Sequence, residues 1–483
     1  MAGTRLPRTG LAAFATGSFG MGIWITVPGL LLLYFLTDVL SVPPLLAGTA
    51  LLVPKIADVV LHPWVGTVSD AGLARHGSRR RLLLIGCALV LAFVTLFAVP
   101  GGLTGPAAAA WVAVAFVAGN LLFAAYQVPY LSTPADLAIG YHERTRLMGF
   151  RMVVLTVGIL ASGLAAPLLT GRDEPTRGGY ATMSIVLGVL MLAAMLVGVA
   201  GVGRLAAAAP PNPETPPPAD RPVAEVRRPE ETPPPADPPV AGGLRPAEAP
   251  LAVAARPERR LKAHGLLVAL RDRQFRWLIG SYLAMSTTSH LVLAAVPYYT
   301  EYELGRPKLT TVLVAAFLAP ALLATPGWVV LARRYGKQRG LLLAQAVFVL
   351  GCLVLAAGDS AGVPVLVGAV AVLGIAFAAL QLLPFSMLPD VVAASGRAES
   401  AGSYTGVWTA TDSLGGALGP YVYAACLALG GFVAGGDPAD QPGSAVTWIR
   451  LGFGVVPAAL MLLALLIQRR YRLDGTAQTE PAT

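Results

Sequence analysis

Phe123-Ala124-Ala125-Tyr126-Gln127, with Pro129 and Asp136 following, returns later in the chain as Phe377-Ala378-Ala379-Leu380-Gln381 with Pro384 and Asp390. The interval from Phe to Asp is thirteen residues in both copies, so one helix has been written twice. Each copy sits in a long apolar run. Such runs fall near residues 11 to 37, 44 to 69, 82 to 100, 107 to 134, 147 to 170 and 181 to 203, then near 276 to 300, 310 to 331, 341 to 357, 361 to 389, 402 to 431 and 446 to 468. The order is six runs, an interruption, then six runs. A bilayer core offers an open backbone no partner, and these Leu, Ala and Val tracts lack the alternation of a membrane barrel, so each run is predicted to be a helix.

Two further repeats set the register of the halves. Tyr34-Phe35-Leu36-Thr37-Asp38 at the end of the first run resembles Tyr298-Tyr299-Thr300-Glu301 at the end of the seventh. The basic stretch Arg75 to Arg81 after the second run has its counterpart in Arg333 to Arg339 after the eighth. The expected fold is an all-α membrane protein with twelve transmembrane helices in two pseudo-symmetric six-helix halves. The divisions expected are an N-terminal half over 1–205, a disordered proline-rich linker over 206–262, a C-terminal half over 263–473 and a disordered tail over 474–483. Sixteen of the forty prolines lie in the linker, which contains ETPPPAD twice and almost no large apolar side chains, too few to offset the ordering of its backbone.

Composition agrees. The 483 residues are 55% hydrophobic and 13% charged, where soluble proteins carry roughly a quarter charged residues. The formal net charge of +9 could suggest a nucleic-acid partner, but the linker holds eight acidic and eight basic residues and contributes nothing to it. The excess lies in short loops of one set, at Arg75, Arg79, Arg80, Arg81, Arg144, Arg146, Arg333, Arg334, Lys337, Arg339 and Arg397. The opposite set has only Arg172, Arg177, Arg306 and Lys308. This asymmetry predicts cytoplasmic termini and a cytoplasmic linker, in a plasma (inner) membrane protein whose partner is the lipid bilayer and not nucleic acid. Cys87, Cys352 and Cys426 each sit inside an apolar run and read as small buried hydrophobes. The first run is too long for the apolar region of a signal peptide and reads as a retained helix.

Charged groups within spans are costly and therefore informative. Lys55, Asp58 and His62 in the second run are three and four apart and share one helix face. Two readings stand: a protonatable cluster with Asp58 carrying the coupling proton, or a self-neutralising pair that holds the helix in register. Arg151 in the fifth run, Asp412 and Trp408 in the eleventh, Tyr126 and Gln127 in the fourth and Gln381 in the tenth are the expected substrate-binding groups. His290 reads as a packing histidine. No metal-ligand cluster, P-loop or GxSxG motif is present, so no metal, cofactor or enzymatic activity is expected.

Gly66, Asp70, Arg75, Gly77 and Arg79 have the spacing of the loop between the second and third helices of the major facilitator superfamily, and are expected to act as a cytoplasmic gating clamp. The chain also resembles the glycoside-pentoside-hexuronide cation symporters, the melibiose-carrier-like branch. The resemblance rests on Tyr34-Phe35-Leu36-Thr37-Asp38, Lys55-Ile56-Ala57-Asp58 with Pro63, Val128-Pro129-Tyr130, Glu143-Arg144-Thr145-Arg146-Leu147 with Arg151, and Leu383-Pro384-Phe385-Ser386-Met387-Leu388-Pro389-Asp390. It implies cation-coupled symport, with Asp58 and Arg151 at the family's functional positions and a midplane site between the halves.

Three departures narrow that expectation. The second carboxylate of helix 2 is replaced by His62, and the nearby helix 4 position is Ala124, which favours a proton over the oxygen-seeking sodium ion. No carboxylate lies between Gly10 and Leu36, where Met21-Gly22 stands in for the sugar-gripping acid. The lysine expected in helix 11 is Ser413, beside Asp412. The function expected is therefore proton-coupled symport of a glycoside-like solute. The alternatives are carriage of an amphipathic, lipid-like or secondary-metabolite cargo, and a transport-inactive sensor or scaffold.

Overall fold

A computed structural model of the protein describes residues 6–76, 78–137, 141–171, 176–208, 269–395 and 401–473. The tail over 474–483 and, beyond Ala208, the linker over 206–262 lie outside the described residues. The helices run as the apolar pattern requires. They are α1 (Arg8–Tyr34), α2 (Pro44–His76), α3 (Arg80–Phe97), α4 (Gly105–Asp136), α5 (Tyr141–Leu169), α6 (Arg177–Ala208), α7 (Arg273–Tyr298), α8 (Leu309–Tyr335), α9 (Lys337–Leu355), α10 (Val363–Ala394), α11 (Ala401–Leu429) and α12 (Gly443–Gln468). Ten are long and apolar enough to cross a membrane. α2 and α11, with 33 and 29 residues, have the length to do so and complete the twelve.

Lipid tails are as apolar as leucine, so packing between membrane helices depends on small residues and close approach rather than on exclusion of water. In the first half α1 lies against α5 and α6, α2 against α4, and α3 against α4 and α6; the second half repeats the pattern with α7 against α11 and α12, α8 against α10, and α9 against α10 and α12. The halves meet through α2 on α11, α5 on α8 and α1 on α7. Of those ten, α1 is the most enclosed and α5 and α8 the least.

The structure departs from the expected segments in three places. α3 breaks at Cys87 and α12 at Gly454, where single helices over 82–100 and 446–468 were expected. Both breaks lie where backbones crowd: a Cβ at Gly86 would stand 2.6 Å from the backbone N of Tyr126, and one at Gly454 2.6 Å from Ala356. α2 continues to His76, so Gly66, Asp70 and Arg75 belong to a helix and not to a loop, because nothing from Val65 to His76 interrupts the backbone ladder.

One close approach fixes the position of α5. A Cβ at Gly22 of α1 would lie 2.8 Å from the backbone N of Ile159 and 2.9 Å from the carbonyl carbon of Gly158. The obstacle is backbone, which cannot rotate away. Gly22→Val is therefore expected to push α5 outward and to destabilise by about 1–3 kcal/mol, the usual cost of overpacking. A lowered thermal midpoint checks this, and an unchanged midpoint would show that the α1–α5 crossing is loose.

Candidate functional site

The charged face of α2 lies where the sequence places it. Lys55 Nζ stands 3.4 Å from Asp58 Oδ2. The Lys55 side chain is 30% exposed and that of Asp58 only 5%, so the acid is the more enclosed member of the pair. Lys55 Nζ also lies 5.5 Å from the centre of the Phe116 ring of α4, within cation–π range. Asp58 Oδ1 is buried without a hydrogen-bond partner among the described residues. A buried carboxylate with one oxygen held by a longish contact and the other by nothing is costly as an anion, and gaining a proton relieves that cost.

His62 extends the cluster to α4. Its Nδ1 is 3.1 Å from the carbonyl oxygen of Asp58 and its Nε2 is 3.2 Å from Gln127 Oε1. The carbonyl can only accept, so Nδ1 carries a proton and donates. Two arrangements then satisfy Nε2. In the imidazolium both nitrogens donate, and Gln127 accepts through Oε1; in the neutral ring the Gln127 amide turns over and donates through its NH2 group. The amide thus records the charge on His62. Gln127→Leu removes the partner of Nε2 in both arrangements and is expected to destabilise by about 1–3 kcal/mol, the cost of a stranded polar group. Restored stability in His62→Leu/Gln127→Leu would check that the two act as a pair.

Arg151 of α5 is 7% exposed, so its guanidinium does not reach the interface. It has no carboxylate within 4.0 Å among the described residues and does not contact Asp58. Its Nη1 lies 3.5 Å from Met152 Sδ, its Nε has no described partner, and its centre stands 6.0 Å from the Tyr130 ring. Tyr130 is held by Ser18 at 3.1 Å and by the carbonyl of Phe14. A buried cation so placed keeps a hydrogen-bond donor that no described group accepts.

In the second half Asp412 Oδ1 accepts from the Tyr282 hydroxyl at 2.8 Å and from Ser286 Oγ at 3.3 Å. Trp408 stacks on Tyr282 with ring centres 4.0 Å apart, and Phe385 closes on Trp408 edge to face. Asp412 itself is exposed. Tyr282, Ser286 and Phe385 join this cluster without having been singled out from the sequence. Their spacing from Asp412 along the chain gives no sign of it; only the α7–α11 and α10–α11 contacts do. His290 Nδ1 lies 2.9 Å from the carbonyl of Ser286, a local helix bond in keeping with a packing role.

Tyr126 and Gln381 are placed differently from the other expected substrate groups. Tyr126 is fully buried between α1, α4 and α6, donates its hydroxyl to the Met195 carbonyl at 3.1 Å and stacks on Tyr130, which is the geometry of a packing residue. Gln381 is exposed and does not mirror the bond that Gln127 makes to His62. At the proposed clamp Arg79 Nη1 donates to Ser69 Oγ at 2.5 Å, and Arg75 is exposed. The side chain of Asp70 and the whole of Gly77 lie outside the described residues. The equivalent corner of the second half is closed by Lys337, whose Nζ donates to Asp390 Oδ2 at 2.5 Å and to the Ser386 carbonyl at 2.9 Å.

Twelve helices in two repeated halves, with ionisable groups held inside the spans, define a multi-pass membrane protein of the major facilitator fold. The chain belongs to the MFS/sugar transport protein family, whose model matches residues 13–224 and 256–475. Among curated relatives, an uncharacterized symporter of Synechocystis sp. is 31% identical over 192 residues, covering 38% of this chain and 35% of the relative. The isoprimeverose transporter of Lactiplantibacillus pentosus is 25% identical over 185 residues, 37% of this chain and 38% of the relative. These matches thus span little more than a third of each relative. A longer one, 24% identical over 495 residues, joins 94% of this chain to 84% of the sodium-dependent lysophosphatidylcholine symporter 1 of Gallus gallus. Solved structures share the fold at low identity: a mutant of the nucleoside transporter NupG, with a TM-score of 0.63 at 12% identity over 96% of this chain and all of that one, and the D-xylose-proton symporter, at 0.61 and 13% over 96% and 97%.

Proposed function

We propose that the protein is a secondary active transporter of the plasma membrane, with both termini in the cytoplasm, that couples proton movement at Asp58 to symport of a glycoside-like solute. The observation that carries this reading is the buried Asp58 with one oxygen unpartnered, on α2, a helix that packs across the boundary between the halves. Rocking of the halves would expose that carboxyl to each side in turn. A sodium ion seeks several oxygen ligands, and the Asp58 neighbourhood supplies an amine and an imidazole instead, which favours the proton. Proton release on one side and uptake on the other would be sensed by His62 and passed to Gln127 on α4. Arg151 and Asp412 are the proposed solute-facing groups, one from each half, with Trp408 as an apolar wall. The names of the symporter relatives support the class of activity.

A second reading has its own support. Arg151 is a buried cation without a carboxylate, and Phe150, Met152, Val153 and Val157 of the same helix present an exposed apolar surface. An amphipathic solute with an anionic or zwitterionic head fits such a helix, and a relative matched over 94% of this chain is a sodium-dependent lysophosphatidylcholine symporter. Reconstituted protein offered isoprimeverose or lysophosphatidylcholine, under a pH gradient or a sodium gradient, separates the cases. Isoprimeverose uptake driven by the pH gradient supports the first reading; lysophosphatidylcholine movement alone supports the second. Movement driven only by sodium would overturn proton coupling.

A further inference from the structure

α1 and α7 do not end as α-helices. Each passes into one π-helical turn, Phe35–Val39 and Tyr299–Glu303. The two turns are offset by the 264 residues that separate Asp38 from Tyr302, and the correspondence holds atom by atom along the backbone. Leu40 N donates to the Phe35 carbonyl at 3.1 Å and Leu304 N to the Tyr299 carbonyl at 3.1 Å. Val42 N donates to the Leu36 carbonyl at 2.9 Å and Arg306 N to the Thr300 carbonyl at 2.7 Å. Ser41 and Gly305 both take left-handed backbones, with φ of 54° and 61°. The offset is that of Tyr34 and Tyr298 in the sequence repeat, and it makes Tyr302 the mate of Asp38 and Glu301 that of Thr37.

The side chains cross between the halves with the same symmetry. Tyr34 donates its hydroxyl to Glu301, while its mate Tyr298 pairs with Thr37, the mate of Glu301, at 2.7 Å. The third bond, from the Tyr302 hydroxyl to Asp38, joins two positions that are each other's mates and so lies on the pseudo-twofold axis. This is the logic of an isologous interface, built here within one chain. Between residues whose side chains are described, these are the three hydrogen bonds that join the halves. They are packed among aromatic rings, with Tyr298 fully buried against Tyr34, Tyr423 and Phe432. Beside them lies a cavity of about 270 Å³ lined in part by Leu31, Tyr180, Pro297 and Thr311.

Strain marks the same place. Ser41 is the one described non-glycine residue with positive φ, and it docks where a Cβ on Gly435 of the other half would overlap its hydroxyl. π-turns and left-handed non-glycine residues persist where the surroundings hold them, and they gather at switching elements.

We propose that the two π-turns form an isologous latch closing the mouth opposite the termini, and that it must part for a midplane site to reach that face. Its place in a transport cycle rests on the transporter reading above, whereas the latch itself is measurable without any solute. Hydrogen exchange of the intact protein in nanodiscs reads it directly. Tyr34→Phe should speed exchange over 299–306, and Tyr298→Phe over 35–42, each by about fivefold, the worth of one lost neutral hydrogen bond. Acceleration confined to the substituted residue's own turn would overturn the proposal. A second measurement locks the mouth. A Cβ at Gly48 of α2 would stand 2.8 Å from that of Ala424 of α11, about 1 Å closer than a disulfide needs, so Gly48→Cys with Ala424→Cys, in protein whose natural cysteines are replaced, can be oxidised to a bridge once α2 and α11 give by that amount. The oxidised protein should lose flux of isoprimeverose or lysophosphatidylcholine and regain it on reduction; flux undiminished by the bridge would overturn the gating role. If the reduced protein carries neither solute, the transport reading fails, and the exchange experiment alone decides the latch.

Discussion

Asp58→Asn is expected to abolish pH-gradient-driven solute movement while leaving the protein folded. Asn keeps the volume and a polar head but cannot lose a proton, so the step that ties proton position to the solute is removed outright. Folding should survive because the partner left behind, Lys55, is the less enclosed of the two and keeps its place over the Phe116 ring. Proteoliposome flux should therefore fall to the level of protein-free vesicles, while a fluorescence-detected thermal midpoint stays within a few degrees of the parent. Downhill exchange of labelled solute is the informative control. If Asn retains full gradient-driven flux, Asp58 is a packing residue and the coupling site lies elsewhere.

The second large effect is on stability and has the opposite asymmetry. Lys55→Met removes the cation and leaves the enclosed acid, with its 5% exposed side chain, without its one described side-chain partner. An exposed pair contributes roughly 0–1 kcal/mol, whereas stranding one member of a buried pair costs about 3–5 kcal/mol; this half-exposed pair is expected to fall between, at about 1–3 kcal/mol. Adding Asp58→Asn should return most of the loss, because the stranded charge is then gone. A double-mutant cycle by thermal or denaturant unfolding in detergent gives the coupling directly. Simple additivity would show that the 3.4 Å contact contributes nothing and that Lys55 serves another purpose.

The architecture was legible because a bilayer leaves so few solutions. Twelve apolar runs must be helices, and the Phe123 and Phe377 repeat requires two like halves whatever the side chains do. The α2 triad was legible for a similar reason: residues three and four apart share a face by geometry alone. Neighbours supplied by other helices were hidden. Nothing in the chain pairs His62 with Gln127, or Asp412 with Tyr282 and Ser286, because those contacts arise from helix crossings set by backbone approach at positions such as Gly22. Tyr126 looked like a solute-binding ring and lies among α1, α4 and α6, since an aromatic beside a polar residue reads alike whether it faces a cavity or the core.

The ends of α1 and α7 show where the division falls. Similar strings at residues 34–38 and 298–301 announced a repeat, but not which of their side chains meet. Only the tertiary structure, with a π-turn ending each helix, brought the two similar ends into one reciprocal contact. Hydrophobic period and composition act locally and are written in the chain; which groups meet across the boundary between halves depends on where two backbones stop, and that is decided by packing.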